Sequence, residues 1–301
     1  MTSIWLATLG AACIETGVNV RPIENVAVVA GDFDNVGESL GRQLIAYQEY
    51  EGFICCASYD PDLDPALIAL KSETLFTGVS DAGGREIFEY DAVLVNSGAR
   101  GFGEWQYNGV EADDHLVTDP DAVANTVEWV DRTGLLWASD WSYDLVEAAW
   151  PDKIDFFGDD LLLDDAQVGT IGRIEARVTD TALQEALGTD TLSLEFNYSD
   201  WMVMESVAND DSVDVLLRGD AEVRLSASEG FGAVQDVPLL VSFDHGAGQV
   251  ILSSFHWNAQ NADLVDTILL AIARGLDPGA GGGADTSTGG TSESGGTEAT
   301  P

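Results

Sequence analysis

Residues 119–139 read DPDAVANTVEWVDRTGLLWAS, and this stretch decides the fold. Asp119 has the side chain of a helix N-cap, Pro120 suits the first helical turn, and valines recur three or four residues apart. The spacing therefore predicts a helix over Asp119–Arg132. Gly134–Ala138 is a short apolar run of strand length. A helix that leads directly into a buried strand is typical of a parallel βα unit.

The same alternation of strands and helices occurs upstream of this unit. The predicted strands there are Glu24–Ala30, Gly52–Ala57 and Asp91–Asn96. The predicted helices carry Leu40, Leu44, Ile45 and Tyr47 in one case and span Asp64–Phe76 in the other. We therefore expect an α/β fold with a doubly wound, mainly parallel sheet of flavodoxin-like strand order.

Downstream of Trp150 the pattern changes to short β-rich runs separated by turn residues. These runs predict a β-rich excursion over about residues 155–235. Val237–Phe243 and Gln249–Phe255 flank His245-Gly246-Ala247-Gly248, which is typical of a hairpin loop. An amphipathic pattern then predicts a last helix over Ala262–Leu276.

The two ends of the chain differ from the α/β region in composition. Met1–Ala12 is apolar and ends in small residues before Cys13, and it resembles a bacterial lipoprotein signal peptide, in which that cysteine is acylated. An ordinary secretory signal and a cytosolic amino-terminal arm are the alternatives. We expect a signal over 1–13, a linker over 14–22, one α/β domain over 24–276, and a disordered tail rich in glycine, serine and threonine over 278–301. The expected location is the bacterial cell envelope, with the protein lipid-anchored or secreted.

The charge balance excludes several classes of partner. The 301 residues hold 53 acids and 12 bases, a formal net charge of −41, and the only lysines are Lys71 and Lys153. A polyanion without a basic stripe binds neither nucleic acid nor an anionic bilayer by charge, so we expect membrane contact only through a lipid at Cys13. No apolar run reaches the roughly 18 residues of a spanning helix. An acidic, lysine-poor surface is also typical of salt-tolerant proteins.

Polar residues follow several of the predicted strands, at the edge where open parallel sheets bind ligands. Because these strand ends converge at one edge, the residues are candidates for a site that binds a small polar ligand. The candidates are Asp32, Asp34, Asn35, Ser97, Arg100, Ser139, Asp140, Tyr143, His256 and Asn258. The three histidines lack metal-ligand spacing, so we expect neither a metal nor another cofactor.

Three stretches carry a family resemblance: YDAVLVNSG at 90–98, LLWASDWSYDLVEAAWP at 135–151, and PLLVSFDHGAGQVILSSFHWNAQ at 238–260. They resemble the class I glutamine-amidotransferase-like superfamily, and in particular its trehalose-utilisation-like branch, over about residues 24–275. The resemblance implies a flavodoxin-like fold with a catalytic cysteine on the turn after the strand Gly134–Ala138. This chain has Ser139 and Asp140 there instead, while His256 matches the late histidine of the superfamily.

Three functional hypotheses follow. The leading one is a catalytically degenerate domain that acts as a small-ligand-binding or structural module, because the thiol needed for amide attack is absent. The second is a hydrolase or isomerase that acts on a carbohydrate-derived or other small polar substrate, with Asp140 and His256 as the acid and base. The third is a surface scaffold. The enzyme hypothesis requires Asp140 and His256 to lie within a few ångströms of each other.

Overall fold

The computed structural model describes residues 23–52, 70–103, 105–107, 110–112, 114–158, 166–209, 212–226 and 230–273. The strands are β1 Val26–Val29, β2 Gln48–Glu51, β3 Leu70–Lys71, β4 Ala92–Val95, β5 Trp105–Tyr107, β6 Val110–Ala112, β7 Leu135–Ser139, β8 Ile154–Phe156, β9 Gln167–Gly169, β10 Gly172–Val178, β11 Thr191–Phe196, β12 Trp201–Met202, β13 Met204–Val207, β14 Asp214–Ser226, β15 Gly230–His245 and β16 Gly248–Ser253. The helices are α1 Val36–Arg42, α2 Ser72–Thr77, α3 Pro120–Arg132, α4 Tyr143–Ala149, α5 Thr181–Leu187 and α6 Ala262–Ala273.

The centre of the molecule is a parallel sheet in the order β3-β2-β1-β4-β7-β16. Without the short edge strand β3, this order is the flavodoxin-like order 2-1-3-4-5. The predicted α/β class is therefore confirmed. The helix predicted over Asp119–Arg132 is confirmed as α3, and its Asp119 side chain accepts a hydrogen bond from the amide of Asp121.

The β-rich excursion continues the same sheet. From β16 the order runs through β15, β14, β10 and β11, and every one of these pairs is antiparallel. The predicted hairpin is present as β15 and β16, but β15 is 16 residues long and reaches far beyond the predicted start at Val237. The sheet is thus mixed, with a parallel half, β3 to β16, and an antiparallel half, β15 to β11.

Helices cover both faces of the parallel half, because alternate residues of each strand point to opposite faces. Side chains of α3 and α4 pack on the face that includes Val93, Leu136 and Ala138. Side chains of α1 and α6 pack on the opposite face, with Leu94 and Trp137. Strands buried on both faces explain why their sequences are nearly continuous apolar runs.

Three predicted boundaries are wrong where the structure describes them. The second strand lies at Gln48–Glu51, just before the predicted Gly52–Ala57, and residues 53–57 lie outside the described residues. Helix α1 ends at Arg42, so Leu44, Ile45 and Tyr47 are not helical; Leu44 has a left-handed backbone and a 93% exposed side chain. The helix predicted over Asp64–Phe76 starts only at Ser72, after strand β3, and residues 64–69 lie outside the described residues.

The predicted signal, linker and tail also lie outside the described residues, with Cys13, and they stay predictions. Among the residues that the structure describes, no helix is both long and apolar enough to cross a membrane.

Candidate functional site

The site begins at a sharp turn between strand β7 and helix α4. Asp140 directly follows Ser139, the last residue of β7, and has a left-handed backbone with φ of 43°. Aspartate adopts this conformation more readily than most residues. The turn leaves Asp140 fully buried at the carboxyl edge of the sheet. This is the position at which the family resemblance places a nucleophile.

The Asp140 carboxylate is held by three donors from different parts of the chain. Its Oδ2 lies 2.9 Å from Nδ1 of His256 and 3.3 Å from the Ser97 hydroxyl, which donates to it. Its Oδ1 accepts a hydrogen bond of 2.8 Å from the main-chain amide of Met202. Strand ends of the parallel half supply Ser97 and His256, whereas Met202 belongs to the excursion.

His256 completes a buried carboxylate–imidazole pair. Its side chain is 2% exposed. Burial lowers the pKa of His256, but the hydrogen bond to Asp140 and the charges of Asp140 and Asp34 outweigh it, so the pKa is raised above the ordinary value. The second ring nitrogen, Nε2, is buried and has no hydrogen-bond partner among the described residues.

Asp34 forms the other end of the same polar network. The Ser139 hydroxyl donates to its Oδ2 over 2.9 Å and accepts from the amide of Ser97. Its Oδ1 accepts from the main-chain amides of Asn35 and Asn258, both over 3.0 Å. Burial raises the pKa of Asp34, although the His256 charge and these hydrogen bonds oppose the rise.

The structure brings together most of the predicted site residues. The network contains Asp34, Ser97, Ser139, Asp140 and His256 as side chains, and Asn35 and Asn258 as main-chain amides. Asp32 is half-buried beside it, with its amide bonded to the carbonyl of Gly98. The remaining two candidates are Arg100, which is exposed, and Tyr143, which is buried against Phe156.

Residues of the excursion that the sequence did not indicate cover this edge of the sheet. The Tyr198 ring lies 5.0 Å from the His256 ring and 5.3 Å from that of Phe33. The Trp141 indole donates a 2.6 Å hydrogen bond to the carbonyl of Asp200. The polar composition of residues 197–200 indicates a turn, but nothing in it indicates which strand ends the turn covers.

The arrangement limits the available chemistry. The Ser139 hydroxyl donates to Asp34 and not to His256, so the described geometry contains no serine activated by a histidine base. The pair of Asp140 and His256 has the contact that acid–base catalysis requires, but both side chains are buried. Among the residues that the structure describes, no group of three or more His, Cys, Asp or Glu side chains is placed to hold a metal ion.

No family model and no curated protein matches the sequence. Solved structures similar to it include a cytoplasmic protein from Salmonella typhimurium, at 13% identity and a TM-score of 0.45, over 84% of this chain and 98% of that one. PurLQS from Thermotoga maritima has 10% identity and a TM-score of 0.44, over 83% and 98%. A ThuA-like protein from Bacteroides uniformis has 9% identity and a TM-score of 0.43, over 85% and 91%. These likenesses concern the fold alone.

Proposed function

We propose that this protein is a non-enzymatic module of the bacterial cell envelope with a glutamine-amidotransferase-like fold. In this proposal the carboxyl edge of the parallel half fastens the β-rich excursion instead of carrying out a reaction. The observation that supports it is the fully buried Asp140, which accepts three hydrogen bonds from the chain itself. A carboxylate held in this way is poorly placed to attack a substrate.

The contacts across this edge support a fastening role. The main-chain amide of Met202, in the excursion, donates a hydrogen bond to Asp140. In the other direction, the Trp141 indole donates to the main-chain carbonyl of Asp200 in the excursion. The Gln260 side chain, in the segment between β16 and α6, bonds the main-chain nitrogen and oxygen of Glu195 on β11, over 3.0 and 2.8 Å. These hydrogen bonds all join the parallel half to the excursion, so the network stabilises one relative placement of the two.

The exposed part of the same edge supports ligand binding as the task of the module. Asn258 and Arg100 are exposed, Asp32 and Asn35 are half-buried, and their chain positions all follow strand ends of the sheet. Amide, carboxylate and guanidinium groups recognise small polar ligands by hydrogen bonds. We therefore propose that the buried network holds this polar rim in place and that the rim binds a small polar ligand.

One observation favours the enzyme as a second candidate. Asp140 and His256 are in direct contact, as the enzyme hypothesis requires, and His256 Nε2 has no hydrogen-bond partner among the described residues. A substrate that reached Nε2 would meet an imidazole oriented by a carboxylate, which is a general acid–base arrangement. This candidate requires Tyr198 to move away from the His256 ring.

A binding and turnover screen of the full-length protein separates the two candidates. Sugars, sugar phosphates, nucleotides and amino acids are tested for a thermal shift, and every compound that binds is tested for conversion. The proposal predicts binding without conversion. Conversion that is lost in His256→Gln but kept in the control His245→Gln would establish the enzyme instead, because His245 ends strand β15 and pairs with Gly248 at the other end of β16.

The envelope location rests on Cys13 and has its own test. We expect the full-length protein expressed in a bacterium to fractionate with membranes and to incorporate labelled fatty acid. Cys13→Ser should abolish both, because the acylated thiol is lost. A wild-type protein that stays in the soluble cytoplasmic fraction without label would refute the lipid anchor and leave the module itself unaffected.

A further inference from the structure

Strand β15 extends past its neighbour β16 and has a free edge there. Strand β16 pairs with β15 only from Leu240 onward, whereas β14 pairs with it as far back as Gly230. Residues 230–237 therefore have a partner strand on one side. No strand among the residues that the structure describes pairs with their other side, which we call the free edge of β15.

The main-chain groups that face this free edge belong to Phe231 and Ala233. Thr170, directly after β9, donates both its amide and its hydroxyl to the carbonyl of Glu222, each over 3.1 Å, on the side of β14 away from β15. Glu222 lies opposite Ala233 in the β14–β15 register. Opposite residues of an antiparallel pair either exchange both hydrogen bonds or both turn away, so Ala233 also turns its amide and carbonyl outward. Phe231, two residues earlier, does the same.

The side chains along the free edge are uncharged. Residues 230–235 read GFGAVQ, in a chain whose formal net charge is −41. Phe231 is 67% exposed, and Ala233 is exposed as well. Natural edge strands are usually kept from pairing with other chains by charges, prolines, bulges or covering elements. Residues 230–235 have neither a charge nor a proline.

Strand β11, at the end of the antiparallel half, differs from this free edge because side chains occupy its outward main-chain groups. The Gln260 side chain bonds both the nitrogen and the oxygen of Glu195. The Thr189 hydroxyl donates to the carbonyl of Thr191 over 2.8 Å and accepts from its amide over 3.3 Å. These bonds protect β11 from pairing, so the free edge of β15 is the better place for another strand to add.

We propose that the free edge of β15 pairs with the same edge of a second copy of this chain, antiparallel and around a two-fold axis at Gly232. In this register Phe231 of each copy lies opposite Ala233 of the other. The two residues are those with outward main-chain groups, so each such pair exchanges both of its hydrogen bonds. The sheets of the two copies then form one continuous sheet.

Two features of this register favour a second copy over an unrelated partner. The two Phe231 residues become diagonal neighbours on one face of the joined sheet, roughly 7–8 Å apart, which is within reach of aromatic side chains. Each exposed ring therefore gains an aromatic contact from the other. All the residues that face each other, 230–234, are uncharged, so the pairing brings no like charges together and offers nothing to a charged partner.

The charge of the chain fixes how this association depends on salt. Two copies with a net charge of −41 each repel, and the screening length falls from about 10 Å at 0.1 M salt to about 3 Å at 1 M. Salt should therefore strengthen the dimer, whereas it would weaken one held by ion pairs. The inference does not depend on the proposed function, because Phe231 and Ala233 belong neither to the polar network nor to the polar rim.

Sedimentation equilibrium of the full-length chain tests the dimer, with Cys13→Ser present so that no lipid contributes. We expect the mass to rise with concentration from 32.0 kDa toward twice that value, with a lower dissociation constant at 1 M than at 0.1 M sodium chloride. Phe231→Glu should weaken the dimer at least about tenfold, because it places unpaired carboxylates in the joined sheet. Ile171→Glu is the matched control: Ile171 is 64% exposed and lies between β9 and β10, so the dissociation constant should stay unchanged.

Hydrogen exchange then locates the contact. The amides of Phe231 and Ala233 should exchange rapidly in the dilute monomer and slowly in the dimer. A monomer at every concentration and salt, a dimer that weakens with salt, or a dimer that keeps its affinity in Phe231→Glu would overturn the proposal. So would a dimer in which both amides stay unprotected. A monomer in which they are already protected would also overturn it, because another part of the same chain would then cover the edge.

Discussion

The two halves of the sheet are built on different principles. The parallel half has strands of two to six residues, and its central strands are buried on both faces under helices. The antiparallel half has strands of up to 16 residues, and β10 alternates buried and exposed side chains along most of its length. The parallel half supplies the side chains of the polar network, but the antiparallel half covers them. The chemistry at the strand ends therefore depends on an element that is distant in sequence.

The hydrogen bonds of Asp140, Trp141 and Gln260 that connect the parallel half to the excursion form the joint between them. Removing the Asp140 carboxylate is expected to have the largest effect on this joint. Asp140→Ala leaves the buried His256 without its partner, and loss of one member of a buried pair typically costs about 3 to 5 kcal/mol in the free energy of unfolding. Asp155→Ala is the matched control, because Asp155 is exposed and bonds only Ser206 among the described contacts; we expect a change within about 0.5 kcal/mol. Chemical denaturation measures both. Equal effects would show that the network does not join the halves.

A smaller effect is expected where a neutral hydrogen bond joins the halves. Trp141→Phe removes the indole that donates to the carbonyl of Asp200 and keeps most of the ring contact with Phe33, which lies 4.7 Å away. The expected loss is about 1 kcal/mol. Proteolysis within the excursion should become faster in the same variant. Unchanged stability and unchanged proteolysis would show that this hydrogen bond does not help to hold the excursion against the parallel half.

The pH dependence of stability should show a third, smaller contribution. The folded state raises the pKa of His256 and of Asp34, so both groups bind protons more tightly in the folded chain. Their contributions are fully present below the unfolded pKa values and are lost as the pH rises through the folded ones. For His256 this window begins at its ordinary pKa near 6.5 and extends above it. Stability should fall through this window in the wild type and fall less in His256→Gln. A steeper fall in the variant would contradict the assignment.

The smallest effect is expected on the exposed surface of the antiparallel half. Arg177 and Asp236 form an ion pair of 2.9 Å, and both side chains are more than half exposed. Solvent and salt screen such pairs, so Arg177→Ala should change the free energy of unfolding by less than about 1 kcal/mol. A loss as large as that of Asp140→Ala would mean that surface pairs, and not the buried network, hold the excursion.

The sequence predicted the parallel half well because that half is locally encoded. Apolar runs such as those of β4 and β7, the cap at Asp119 and the order of elements were enough to predict strand order and to bring Asp140 and His256 together. The boundaries near Leu44 and Gly52 were wrong because short apolar stretches fit helix, strand and loop almost equally well.

The joint itself could not be predicted from the sequence. The contacts of Met202 with Asp140 and of Gln260 with Glu195 each span more than 60 residues of sequence. Both also use main-chain atoms of one partner, and main-chain atoms are the same in nearly every residue type, so the sequence does not indicate them. Periodicity also does not show that the excursion continues the central sheet, because strand pairing is set by long-range contacts.

Native-state hydrogen exchange of the Met202 amide tests the central claim most directly, because this amide bonds Asp140 across the joint. In the wild type we expect it to exchange as slowly as the amides of strand β7. In Asp140→Ala its protection should fall more than that of β7, since no side-chain oxygen is left to accept this amide. A Met202 amide that exchanges rapidly in the wild type, or that keeps its full protection in Asp140→Ala, would contradict the account.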